Sequence, residues 1–237
     1  MNSTAPDPSR LRERLQSAQL LLLFSPELCA GRDPLAVLEA VLSEVDVVQV
    51  RPKPQGTSTS PLAPCGARET FEWCERVLDL VRARPALDVI VMVDDRVDVA
   101  RALWERGCAG VHLGQDDCPV ASARRFLGPG PLLGLSTHDL EQVIEADELA
   151  VDMLGFGPVH ATRTKGYPAG LGAEMVWIAS AASRHPLFAI GGIDADNAAD
   201  LARVGRIAVA SAILCADDPA RAARDLRAQI SIDHDEA

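Results

Sequence analysis

From Leu20 onward, short apolar runs rich in β-branched residues alternate with longer segments whose apolar positions recur at the helical period. The runs predict eight strands: Leu20–Phe24, Val45–Val50, Val89–Val93, Gly110–Leu113, Leu132–Leu135, Met153–Gly155, Leu187–Ile190 and Ile207–Ala210. The helical period predicts Pro34–Ser43, Ala67–Ala83, Asp98–Arg106, Pro119–Leu127, Leu140–Glu148, Ala173–Ser183, Asp196–Val204 and Pro219–Ile230. Asp33 before Pro34 is a helix start, a capping carboxylate ahead of a proline at the first helical position. Eight strands, each followed by one helix, imply an α/β fold, a single (β/α)8 TIM barrel over residues 16–230. A doubly wound open sheet would carry a G-x-G-x-x-G turn after its first strand, and the chain has none there. The polar flanks, 1–15 and 231–237, are expected to be flexible. The stretch Pro52–Gly66 holds four prolines and a Ser/Thr cluster and reads as a long loop, either a lid or a plain insertion.

Composition agrees with one barrel. The 237 residues are 48% hydrophobic but only 4% aromatic, so the core must be aliphatic. A net charge of -11 argues against nucleic acid as a partner, though a small phosphate ligand needs only a local positive site. The six cysteines form no C-x-x-C pair, which points to reduced thiols in a cytoplasmic protein and argues against a zinc site. The apolar run Leu20–Phe24 is too short to span a membrane, and no cleavable signal layout precedes it. A homo-oligomer is compatible with these features, which do not fix the assembly state.

In such a barrel the residues at the carboxyl ends of the strands share one face, where the chemistry takes place. After the second strand, period-two alternation puts Gln49, Arg51 and Lys53 on one side. Two cations and an amide there suit an anion, although a solvated rim pair would look the same. Asp94 and Asp95 follow the third strand and Asp117 the fourth. Adjacent strands lie about 5 Å apart. Carboxylates so close repel unless a cation such as Mg²⁺ lies between them, the alternative being two helix caps. His112 alternates with Val111 and Leu113, either in the mouth or as a core histidine. Ser136 and His138 follow the fifth strand, and Thr162, Thr164 and Lys165 offer hydroxyls and an ammonium after the sixth. Gly191–Gly192 and Ser211, after the last two strands, occupy the usual phosphate position of these barrels.

The stretches VQVRPK, VDDRVDVA, GVHLGQDD, GLSTH, GFGPVHATRTK, AIGGI and VASAI, in this order over residues 45–213, resemble the thiamine-phosphate synthase family. The resemblance implies that an aminopyrimidine methyl diphosphate is joined to a thiazole phosphate, making thiamine phosphate and releasing pyrophosphate. Diphosphate would leave first and the thiazole nitrogen would capture the cation. By motif position, Gln49, Arg51 and Lys53 resemble diphosphate and pyrimidine contacts, and Ser136 and Lys165 further contacts to the leaving diphosphate. Arg51, Lys53 and Lys165 would carry the catalysis. Asp95 and Asp117 resemble Mg²⁺ ligands. Thr162, Thr164, Gly192 and Ser211 resemble contacts to the thiazole phosphate, and His112 matches a mouth position. Asp94 stands where the family commonly has Asn, so it is expected to repel the diphosphate or recruit more metal. His160–Ala161 replaces a usual Phe-Pro pair. Two other activities fit part of the pattern. A thiazole-phosphate tautomerase would use His138 as acid and base, and a non-catalytic barrel would only bind thiazole or thiamine phosphate.

Overall fold

The computed structural model describes residues 5–53, 65–161 and 170–231. Strands β1 (Leu20–Phe24), β2 (Val47–Val50), β3 (Ile90–Asp94), β4 (Gly110–Leu113), β5 (Leu132–Thr137), β6 (Met153–Phe156), β7 (Leu187–Ile190) and β8 (Ile207–Val209) close into one barrel in chain order. All neighbours are parallel, from Leu21 opposite Val47 round to Leu20 opposite Ile207. The helices are α1 (Pro8–Ser17), α2 (Pro34–Val41), α3 (Ala67–Arg82), α4 (Val97–Leu103), α5 (Val120–Leu127), α6 (Leu140–Ala146), α7 (Ala173–Ala182), α8 (Ser211–Leu214) and α9 (Pro219–Ile230). No helix among the described residues is long and apolar enough to cross a membrane.

Alternation along each strand sorts the side chains into two cores. On β1, Leu20, Leu22 and Phe24 face the helices and join the outer core. Leu21 faces the axis, where it meets Val47, Met92, Leu132, Met153 and Phe188. The aliphatic content therefore serves both layers, and the fully buried aromatics Phe24, Phe156 and Phe188 add to it.

The expectation of a flexible segment over 1–15 does not hold for residues 8–15, which belong to α1, and α1 closes the floor of the barrel. Leu11 and Leu15, one turn apart, are buried in the inner core. Asp7 caps the helix, accepting from the N–H groups of Ser9 and Arg10 at 2.8 and 3.3 Å. Arg12 reaches across to Asp152 at 2.8 Å, which also receives Arg124 at 2.7 Å. The tail 232–237 and most of the proline-rich stretch, 54–64, lie outside the described residues.

Two other elements differ from the pattern. The helix expected over Asp196–Val204 shrinks to a 3-10 turn at Ala198–Leu201. Its main-chain donors reach back three residues rather than four, Asp200 N–H to Asn197 O at 3.2 Å and Ala202 N–H to Ala199 O at 3.1 Å. In addition, β8 is followed at once by the one-turn helix α8, whose length is below what periodicity can resolve.

If α1 is a floor rather than a loose arm, Leu15→Ala should cost ~2–5 kcal/mol in denaturant unfolding, the range for a buried leucine. An unchanged midpoint would show that the helix does not hold the barrel closed.

Candidate active site

Above the apolar floor, the inward positions turn polar. Gln49 of β2, Asp94 of β3, His112 of β4 and Ser136 of β5 all point toward the axis and line a cavity of about 610 Å³ in the barrel mouth. His112 is 6% exposed, so it belongs both to the mouth and to the buried layer. Its ring lies over two glycines. A side chain at Gly134 would overlap His112 Nδ1, and one at Gly155 would sit 3.3 Å from Cε1. The glycines of β5 and β6 are thus the space the imidazole occupies, and its Nε2 lies 3.0 Å from Ser136 Oγ.

Asp94 is paired in a way that the sequence pattern does not reveal. Its Oδ2 meets Arg51 Nε at 2.8 Å, and its Oδ1 accepts from Gln49 Nε2. Both side chains of the ion pair are mostly buried, at 18% and 14% exposure. The expected repulsion is therefore incomplete as stated, because the Asp94 charge is already met by a guanidinium and an amide.

Asp95 follows at φ 59°, in the left-handed region that Asp tolerates better than bulkier residues. Its N–H donates to His112 O at 2.8 Å, so the kink occurs on the last rung of the β3–β4 ladder. The carboxyl shares a hydrogen bond with Asp117, whose Oδ2 accepts Gly114 N–H at 2.7 Å. Burial, then the charges of Asp94 and Asp117, push the Asp95 carboxyl up to about 8. This pair sits at the rim, not on the cavity wall. No group of three or more acidic, His or Cys side chains able to hold a metal occurs among the described residues. A cation here would draw its remaining ligands from elsewhere.

Across the cavity, Gly191 and Gly192 have φ of 100° and 68°. A Cβ at either would lie 2.8 Å from Pro158 or His160, so the turn packs directly on the chain leaving β6. Asn197 Nδ2 donates to Gly192 O at 2.9 Å and fixes the turn. Ser211, the first residue of α8, and Lys53 both line the cavity. His138 lines it too, with Nδ1 donating to Gly157 O at 2.6 Å. Thr162, Thr164 and Lys165 lie outside the described residues. Ser25 and Glu27, directly after β1, also face the cavity. No motif marks them, but their place after a strand is the same signal that singles out Arg51.

Residues 20–213 match the family model described as thiamine monophosphate synthase. A thiamine-phosphate synthase of Chloroflexus aurantiacus is 40% identical over 92% of this chain and 95% of its own length. One from Synechococcus sp. (strain CC9311) is 40% identical over 91% of this chain but only 58% of its own, so the chain spans about three fifths of that relative. Among solved structures, a thiamine phosphate pyrophosphorylase from Pyrococcus furiosus superposes with a TM-score of 0.73 at 28% identity, covering 93% of this chain and 97% of that one.

The raised Asp95 carboxyl has a measurable consequence. Its ordinary value is 3.8, and in the fold it is about 8. Between these values the folded chain holds a proton that the unfolded chain has lost, so the metal-free protein loses stability as pH rises through this window. Asp95→Asn removes the dependence. Its melting temperature should exceed that of the unsubstituted protein at pH 8 by roughly 2–8 °C, with the gap closing toward pH 4. A gap independent of pH would contradict the assignment.

Proposed function

The chain belongs to the thiamine monophosphate synthase family, and on that premise we propose that it joins an aminopyrimidine methyl diphosphate to a thiazole phosphate, forming thiamine phosphate and pyrophosphate. One observation supports this reading most: a single cavity has two unlike ends. Gln49, Arg51, Lys53 and Ser136 line one side, and the Gly191–Gly192 turn and Ser211 line the other. Two anionic groups can therefore be held apart, with their reacting atoms between them.

The reaction breaks the bond from the pyrimidine methylene carbon to the diphosphate oxygen, and the electron pair leaves with the oxygen. The thiazole nitrogen then donates its lone pair to that carbon. No proton needs to be transferred, so the protein has to supply charge stabilisation and alignment rather than a strong base. Arg51 and Lys53 would take up the charge growing on the departing oxygens. Arg51 already stands in position, because Asp94 holds it there. Ser136, backed by His112 at 3.0 Å, offers a fixed hydroxyl to the same group. A site that only moves protons would have no use for this cationic wall, which is why the synthase reading is preferred over a tautomerase built on His138.

Mg²⁺ is part of the proposal. Asp95 and Asp117 would hold it, since two carboxylates forced together and partly buried call for a divalent cation. When bound, it would neutralise charge on the diphosphate. The cytoplasm is the proposed compartment, supported by six cysteines that are all free thiols.

With Mg²⁺ and both substrates, purified protein should release pyrophosphate and form thiamine phosphate in equal amounts. Arg51→Ala should lower kcat roughly 10²–10³-fold, as for loss of one well-placed charge-stabilising group. Absence of both products from the unsubstituted protein would overturn the reading.

A further inference from the structure

The main-chain ladder between β1 and β2 ends with Arg51 N–H donating to Phe24 O at 2.8 Å. Beyond it, β1 gives way to a 3-10 turn at Pro26–Leu28 and can no longer pair through its backbone. Yet Arg51 and Lys53, which among the described residues carry positive charge into the cavity, lie at and past that point. What fixes their backbone is a pair of side chains. Ser25 Oγ donates to Arg51 O at 3.0 Å, and Glu27 Oε2 accepts Lys53 N–H at 3.4 Å.

The donors of this segment are then fully used. Arg51 N–H goes to Phe24, Pro52 has none, and Lys53 N–H goes to Glu27. Ser25 is 1% exposed, so its hydroxyl has no water to fall back on. The spacing also matches. Ser25 and Glu27 are two residues apart, as are Arg51 and Lys53, so each brace meets one cation-bearing residue. Pro52, buried between them, limits the remaining backbone freedom to a narrow range of φ.

We propose that Ser25 and Glu27 are positioning residues that extend the β1–β2 ladder by side chain and hold Arg51 and Lys53 toward the diphosphate end of the cavity. The inference rests on the synthase reading for the identity of the ligand. Its geometry makes a prediction for any diphosphate bound at that end. Disturbing either brace should weaken the diphosphate end and leave the thiazole-phosphate end alone.

The test uses inorganic pyrophosphate with Mg²⁺ in calorimetry, together with steady-state kinetics for each substrate. Ser25→Ala should weaken pyrophosphate binding by roughly 5- to 30-fold, the scale of one lost buried hydrogen bond, and Glu27→Ala, whose bond is longer and exposed, by a smaller factor of about 2- to 5-fold. The KM for the pyrimidine diphosphate should rise in parallel, while that for the thiazole phosphate stays fixed. Glu27→Gln, whose amide oxygen still accepts the Lys53 N–H, should restore most of the loss. If Ser25→Ala does not fold, the Glu27 pair of variants carries the comparison. Unchanged pyrophosphate affinity in folded alanine variants would overturn the inference, as would an equal loss for both substrates. A Glu27→Gln variant as weak as Glu27→Ala would also overturn it, because charge rather than position would then be at work. Calorimetry reads the braces even without turnover, so a failure of the synthase reading is seen separately, in the unsubstituted protein's lack of product.

Discussion

A carboxylate pointing into a barrel axis must be compensated, and at Asp94 the compensation sets the geometry of the mouth. The side chain is mostly withdrawn from water, and it holds Arg51 on one oxygen and Gln49 on the other. Removing one partner from such a group leaves the other charge uncompensated, which costs far more than a surface pair is worth. The guanidinium is therefore ordered before any ligand arrives. Diphosphate oxygens, two of which can accept from a guanidinium fork as those of a carboxylate do, would compete for the same donors.

The surrounding elements make this arrangement possible in layers. α1 and the inner apolar cluster close the floor, so the polar layer above faces a single opening. Gly134 and Gly155 remove side-chain volume so that His112 can lie flat beside Ser136. The left-handed backbone at Asp95 occurs directly after the inward Asp94, and Asp95 shares its hydrogen bond with Asp117 at the rim. The last residue of β3 and the one after it thus differ: Asp94 orders a cation of the protein, whereas Asp95 pairs with Asp117 at the rim.

Much of this was legible in the sequence, for identifiable reasons. The barrel follows from eight short apolar runs separated by segments of helical period, because each strand must bury both faces. The shared side of Gln49, Arg51 and Lys53 follows from alternation alone. The pairing of Gln49 and Arg51 with Asp94 does not, since it depends on which residues two neighbouring strands bring level. α1 escaped because Leu11 and Leu15 are its only apolar positions in the inner core, set in a charged segment, and their burial is decided by an open barrel end rather than by local pattern. The Asp196–Val204 helix shortens to a 3-10 turn, because apolar spacing over so few residues does not distinguish bonds reaching back three residues from bonds reaching back four. Ser25 and Glu27 carry no motif, and their partners are main-chain groups, so only the fold identifies them.

The account depends on Asp94 being a holder of Arg51 and not itself a ligand of substrate or metal. Asp94→Asn, compared with the unsubstituted protein for pyrophosphate affinity and synthase turnover, tests this most directly. The expected result is a protein less stable without ligand, because Arg51 loses its ion pair, but with pyrophosphate affinity and turnover equal or higher, because the amide oxygen at position 94 still accepts Arg51 Nε–H and holds it while a competing charge is gone. A fall in either by more than about tenfold, ~1.4 kcal/mol, would contradict it and make Asp94 a working part of the binding site.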